Sequence, residues 1–323
     1  MIPIMNPELD CMVAGSCVLD LLCRPVTLDR PIGKGVLHQV EPLKAVAGGI
    51  TLNAGATMAR LGLRVGLLTY VGDDAWGSVL RGICTAEKID PAGLLTHPTG
   101  ATSTTVVVID PAAGGERSFL HCVGAPKLMD KSMILGQLDH LARCRWFLLG
   151  YYSLMPQLEP DLPDIFRRIR ASGCHTALDA AGSGGTMQPL NRILPHLDLY
   201  VPSLNEGKHQ TGESDPQRII DCFRGCGAPG ILGVKLGGKD GVLLSPQAGQ
   251  YMSVPSCTPP GPVVDTTGAG DSFLGGLIAG LCRDLPLDQA GRLGTAAAAC
   301  CVTSLGGSTG GKDYAATAKI AGL

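Results

Sequence analysis

The sequence predicts an α/β fold in which a central, mostly parallel sheet is flanked by helices, and two observations carry the prediction. Short apolar runs at Trp146–Gly150, His175–Asp179, Leu197–Val201 and Ile231–Lys235 alternate with helix-period patterns near Lys131–Ala142, Asp161–Ala171 and Asp215–Arg224. Strands separated by helices favour parallel pairing, with helices covering both faces of the sheet. The chain also has the material for a large core: 323 residues, 45% hydrophobic and 17% charged. That balance excludes a disordered chain and fits one domain over residues 1–323.

The other elements follow in order. Cys11–Ser16 reads as a strand, and Leu52–Leu61 as a helix behind a Gly-Gly turn. Arg64–Val71 is a strand ending in the turn Gly72-Asp73-Asp74, and Asp74–Cys84 continues as a helix. Ser103–Ile109 and Ser118–Cys122 are two strands around Pro111-Ala112-Ala113-Gly114-Gly115, the pattern of a hairpin. Gly261–Thr267 leads into a helix at Gly268–Arg283, and a second helix covers Asp288–Thr303. The segments at approximately 19–46 and 99–124 escape the alternation and predict a small β-sheet lid.

Composition narrows the partners. The formal net charge is -2 with no sustained block of one sign, which argues against a nucleic-acid surface and for a small molecule. The 13 cysteines are odd in number and scattered. No second Cys or His pair stands at zinc-ligand spacing, so they read as free thiols in a reducing compartment. Met1–Asp10 lacks a basic start followed by an apolar stretch, and Ser272–Cys282 is too short and Gly-rich to span a bilayer. These features predict a cytoplasmic protein without a membrane span.

The most informative stretch is Val264-Asp265-Thr266-Thr267-Gly268-Ala269-Gly270-Asp271-Ser272-Phe273. A strand ends, a Gly-Ala-Gly turn follows, and an apolar helix begins with an acid in its first turn. The backbone N–H groups of Gly268, Ala269 and Gly270 can converge on an anion, and the helix dipole adds partial positive charge there. A carboxylate at Asp271 would then lie beside a transferred phosphoryl group, placed to take a proton from an attacking hydroxyl. Taken alone, Gly-Ala-Gly-Asp is equally the start of any helix behind a glycine turn. Asp265 and the two threonines make the stretch specific.

With those residues in view, the chain resembles the ribokinase, or phosphofructokinase-B, carbohydrate kinase family. Asp265–Asp271 matches its C-terminal signature D-T-x-G-A-G-D without a mismatch, and Gly48-Gly49 followed by Asn53 resembles the N-terminal one. Gly15 with Asp20 is similar to the opening strand and its substrate-contacting acid. Gly72-Asp73-Asp74-Ala75-Trp76-Gly77 is similar to the G-D-D-x-x-G turn, and Lys235-Leu236-Gly237 to the nucleotide-side strand. The resemblance implies a ribokinase-like fold and ATP-dependent phosphorylation of a sugar or sugar-acid hydroxyl. Asp271 would be the general base, with the Gly268, Ala269 and Gly270 amides at the phosphoryl group. Asp20, Gly48, Gly49, Asn53 and Arg117 would hold the substrate. Ser203, Lys235, Gly237, Thr266, Gly268, Gly270 and Thr295 would hold the nucleotide, its adenine near Thr295–Thr309. Glu206 would serve Mg2+, a monovalent cation is a further candidate cofactor, and a homodimer through the lid is implied as a partner.

The residues themselves agree with parts of this. Gly48-Gly49 lets a backbone approach a ligand closely, Asn53 offers donor and acceptor to hydroxyls, and Asp20 suits a pair of them. Arg117, in Gly115-Glu116-Arg117-Ser118-Phe119, either points inward toward a carboxylate or hydroxyl pair, or is a solvated hairpin arginine. His121 follows it and reads more readily as packed or exposed. Two departures stand out. Ser203 occupies the place of an Asn in N-x-x-E while Glu206 keeps the acid, and Asp179-Ala180-Ala181-Gly182-Ser183 replaces D-x-N-x-R, weakening a fructokinase-like assignment. Gly233–Asp240 and Gly306–Asp313 both fit G-x-x-x-x-G-K, but an Asp stands where a P-loop needs Ser or Thr. With 4% aromatic residues and only Phe119 in the lid stretches there is little to stack a base, which tilts the choice to sugars; a nucleoside kinase on the same fold is the alternative enzyme. A non-catalytic sugar-binding sensor is the alternative outside catalysis.

Overall fold

The structure, a computed structural model, describes residues 7–28, 33, 35, 37–113, 115–182 and 184–323. Gly114 of the expected hairpin turn, Ser183, and residues 29–32, 34 and 36 of the expected lid lie outside the described residues.

The first third contains β1 (Leu9–Gly15), β2 (Val18–Cys23), β3 (Lys44–Gly48), α1 (Gly49–Arg60), β4 (Val65–Gly72), α2 (Ala75–Ala86) and β5 (Leu94–His97). Then come β6 (Thr104–Asp110), β7 (Glu116–Cys122), α3 (Lys131–Leu135), α4 (Leu138–Leu141), β8 (Cys144–Gly150), α5 (Leu162–Ala171) and β9 (His175–Leu178). The remainder holds α6 (Met187–Ile193), β10 (Leu199–Tyr200), α7 (Leu204–Thr211), α8 (Pro216–Gly225), β11 (Ile231–Gly237), β12 (Gly241–Ser245) and β13 (Met252–Val254). It ends in α9 (Ala269–Cys282), α10 (Leu287–Cys301) and α11 (Tyr314–Ala321).

Nine strands form one sheet in the order β13-β12-β11-β10-β9-β8-β1-β4-β5, parallel except where β12 and β13 run antiparallel at one edge. Both faces are buried, so β1 alternates between two cores. Cys11 and Val13 face the core under α1, α9 and α10, while Met12 and Ala14 face the core under α5, α6 and α8. A second sheet, β3-β2-β6-β7, stands apart, with β2 parallel to β6 and antiparallel to β3.

Several elements differ from the sequence reading for identifiable reasons. The pattern at Lys131–Ala142 breaks into α3 and α4, because the first helix ends at Gly136 and the next starts after Gln137. β5 and β13 are short, half-exposed and carry too little apolar period to be seen. The run Gly233–Asp240 is the end of β11 and its turn into β12, as befits a rejected P-loop. The Gly72-Asp73-Asp74 turn caps α2 through Asp74, which accepts from Gly77 N at 2.8 Å. Asp74 also takes the Thr102 backbone N–H (2.8 Å) and hydroxyl (2.6 Å), tying the entry to β6 onto the large sheet.

Candidate active site

Asp271 lies in the first turn of α9 and is 4% exposed. Two side chains donate to one of its oxygens: Asn53 Nδ2 reaches Oδ2 at 2.9 Å and the Tyr151 hydroxyl reaches it at 2.8 Å. Oδ1 accepts no hydrogen bond among the described residues, yet is not one of the buried unpaired atoms. Burial raises the Asp271 pKa, and the Asn53 and Tyr151 hydrogen bonds, with Lys235 nearby, pull against it. The result is a held carboxylate, less acidic than usual, with one oxygen available.

Tyr151 was not legible in the sequence. It follows Gly150 at the end of β8 in the left-handed region, φ 61°. A bulky residue pays strain there, and such outliers cluster at functional sites. Its pattern, an aromatic just past a buried strand, reads as core, and only the fold brings it to Asp271.

The turn ahead of α9 is built by close approach. Gly268 has φ +73°, and a Cβ there would lie 1.9 Å from Gly307 O. Gly306 N donates to Asp265 Oδ2 at 2.9 Å, and Thr267 N to Asp265 Oδ1 at 2.8 Å. Cys301 Sγ donates to Gly307 O at 3.1 Å. The second rejected P-loop, Gly306–Asp313, is thus the platform under this turn. Of the three turn amides, Ala269 N–H is turned back to Thr266 O at 3.3 Å. Those of Gly268 and Gly270, and that of Asp271 itself, donate to no backbone carbonyl among the described residues.

Two cavities flank the turn that leads into α9, and Asp271 itself lines neither. One, of about 230 Å³, lies between the small sheet and the glycine turn, and Asp20, Gly49, Arg117, His121 and Tyr151 line it. Burial raises the Asp20 pKa against a Thr105 hydrogen bond, and Thr105 Oγ1 pairs with His121 Nδ1 at 3.0 Å. Gly48 lies beneath this acid, since a Cβ there would fall 2.3 Å from Asp20 Oδ2. Arg117 faces inward but is already paired: Nη1 meets Asp265 Oδ1 at 2.6 Å and Thr267 Oγ1 at 3.1 Å. Burial works against the Asp265 charge, yet the Gly306 and Thr267 amides and Arg117 hold it below the ordinary carboxylate range. Asn53 lines neither cavity and packs between Asp271 and Gly307, with its Oδ1 buried and unpaired.

The other cavity, about 420 Å³, opens on the far side of the turn, and Lys235, Gly237, Thr266, Ala269, Gly270 and Thr295 are on its walls. Cys257, Pro259 and Val263 also line it, a contribution from the loop before the signature that sequence reasoning missed. Of the expected adenine range, Thr295, Ala298, Ala299 and Val302 line this cavity, while Thr303, Leu305 and Thr309 line a different one beside β2 and β3. Ser203 and Glu206 line neither; they form the capping box of α7, with Ser203 N donating to Glu206 Oε2 at 2.6 Å. Glu206 nevertheless acts by charge on Asp179, Lys235 and Asp271.

The family model described as "pfkB family carbohydrate kinase" matches residues 8–313. The chain belongs to this family. Among curated relatives, the kinase is 30% identical over 279 residues to the fructokinase of Klebsiella pneumoniae, covering 83% of each chain. The ribokinase of Arabidopsis thaliana, solved with ribose and ATP, shares its fold with a TM-score of 0.81 at 21% identity, over 99% of this chain and 100% of that one. An Escherichia coli structure solved with ATP and Mg2+ aligns with TM-score 0.81 at 21% identity, over 96% and 98% of the two chains. The kinase is therefore a phosphotransferase with a hydroxyl acceptor, and no helix among its described residues is long and apolar enough to cross a membrane.

Proposed function

We propose that the kinase transfers the γ-phosphoryl group of ATP to a hydroxyl of a sugar or sugar acid, with Asp271 as the general base. The observation that carries this is the arrangement of Asp271: Oδ2 is held by Asn53 and Tyr151, Oδ1 is left to take a proton, and two cavities flank its turn. A raised pKa makes the carboxylate a stronger base once ionised.

In this reading the substrate lies in the smaller cavity. Asp20 accepts from its hydroxyls, the Gly48-Gly49 backbone lets it approach closely, and Arg117 closes one end. The small sheet is the lid, latched to the large domain by Arg117–Asp265, and its closure excludes water that would compete as acceptor. ATP occupies the larger cavity with adenine against Thr295 and its phosphates at Lys235, Gly237, Thr266, Gly268 and Gly270, a region Ser203 borders through its bridge to Lys235. Among the described residues no cluster of three or more His, Cys, Asp or Glu could hold a metal alone. In this reading Mg2+ would be carried largely by the phosphates and water, with Glu206 as its protein partner. Bound there, Mg2+ would neutralise phosphate charge.

The hydroxyl proton passes to Asp271 Oδ1 as the oxygen attacks, and the free turn amides stabilise charge on the phosphoryl group. A nucleoside kinase remains the second reading, favoured by Val107, Ile109, Phe119 and Tyr151 on the substrate cavity. The β7 edge exposes Phe119 and Leu120, which supports a homodimer through the lid. The deciding experiment supplies ATP and Mg2+ with neutral sugars, sugar acids and nucleosides in turn, and follows ADP release. Substrate-dependent release that Asp271→Asn abolishes is expected; ATP-independent binding of a sugar with no turnover would instead identify a sensor.

A further inference from the structure

Beside the glycine turn, a half-buried lysine meets a buried acid. Lys235, late in β11, and Asp179, directly after β9, pair at 3.1 Å between Nζ and Oδ1, with side chains 16% and 4% exposed. A buried ion pair is weak evidence for stability, because desolvation offsets much of the attraction. Buried, mutually perturbed ionisable groups at a cleft are candidates for a working site. The lysine is aimed at the turn: a Cβ on Gly270 would lie 3.4 Å from its Nζ. It lines the nucleotide cavity together with Ala269 and Gly270. Burial works against its charge, but Asp179 and Glu206 hold its pKa above the ordinary lysine value, so it stays an ammonium.

The turn needs such a charge. Ala269 N–H is drawn back to Thr266 O, leaving fewer amides for an incoming anion than the Gly-Ala-Gly sequence suggests. An ammonium has three donors, so Lys235 can keep Asp179 with one and offer the others to oxygens at the turn.

We propose that Lys235 is a catalytic residue whose ammonium meets the oxygens of the phosphoryl group during transfer, and that Asp179 is the positioning residue that aims it. The proposal rests on the reading that the ATP phosphates lie at the start of α9. In the step, the bond from the acceptor oxygen to phosphorus forms as the bond from phosphorus to the departing ADP oxygen breaks. The acceptor proton goes to Asp271, and Lys235 keeps all of its own protons. Its charge matches the transition state better than the ground state, because it faces the oxygens as they spread between donor and acceptor.

The test uses the full chain and no sugar. MgADP binding is measured by calorimetry with and without aluminium fluoride, a planar mimic of the phosphoryl group in flight. Wild type should bind MgADP more tightly with the fluoride present. Lys235→Met should lose about 10²-fold of that preference, a larger factor than any loss of MgADP affinity itself. Lys235→Arg should keep part of the preference, and Asp179→Asn should lose about tenfold of it by leaving the ammonium unaimed. A structural ion pair would instead lower the melting temperature of Lys235→Met and Asp179→Asn and leave the preference at the wild-type value, overturning the proposal. Loss of MgADP affinity equal to the loss of preference would assign Lys235 to ground-state binding and overturn it too. Wild type that binds MgADP but gains nothing from aluminium fluoride also overturns it, whereas wild type that does not bind MgADP at all refutes the nucleotide reading itself.

Discussion

Tyr151 donates its hydroxyl to Asp271 Oδ2 at 2.8 Å from a backbone in the left-handed region, φ 61°. Asn53 shares that oxygen from the opposite end of the chain. Both bonds favour the ionised carboxylate and fix which oxygen stays open. Tyr151→Phe should therefore move the acid limb of turnover to higher pH and lower its plateau about three- to tenfold. A pH–rate profile in which only the plateau moves would show that the hydroxyl does not tune the base.

Asp271 should cost the fold something. Burial raises its pKa above the ordinary aspartate value, so over that interval the folded state binds a proton that the unfolded chain has already released. Its contribution is thus most favourable below pH 3.8 and lost as pH rises through the folded value. Asp271→Asn, which keeps an acceptor for Asn53 and Tyr151, should melt at a higher temperature than wild type at pH 8, with little difference near pH 4. Turnover should fall by roughly 10²–10⁴-fold in the same variant. Thermal melts across pH beside the ADP assay separate the two effects.

Arg117 and Asp265 join the small sheet to the glycine turn at 2.6 Å. Arg117→Ala should raise KM for the acceptor while leaving KM for ATP within about twofold, and should increase ATP hydrolysis by water because the lid no longer seals. ADP formed without any acceptor is the reading that decides. If it stays at the wild-type rate, the pair is not a latch.

Gly268 has no room for a methyl group, since a Cβ would sit 1.9 Å from Gly307 O and its φ is +73°. Gly268→Ala should cost at least about 2 kcal/mol in urea unfolding and remove turnover. Gly182→Ala, which also has positive φ but meets nothing within 4 Å, should cost less. The difference between the two measures the contact alone.

Much of the architecture was carried by local pattern. Apolar runs at β8, β9 and β11 lie on a sheet buried on both faces, so each announces itself without its neighbours. β5 and β13 do not, because a few half-exposed residues become strands only when an edge is available to pair with. The smaller cavity shows the same division. Asp20, Gly49 and Arg117 line it, while Asn53 packs against Asp271 and Gly307.

By itself the sequence determined the family, the parallel α/β sheet and the glycine turn that ends in Asp271, because each is written in contiguous residues whose spacing sets local geometry. The tertiary structure alone decided which side chains surround that acid. Tyr151, Asn53 and Lys235 come from three distant elements, and their convergence depends on strand order and helix packing, which no local pattern encodes.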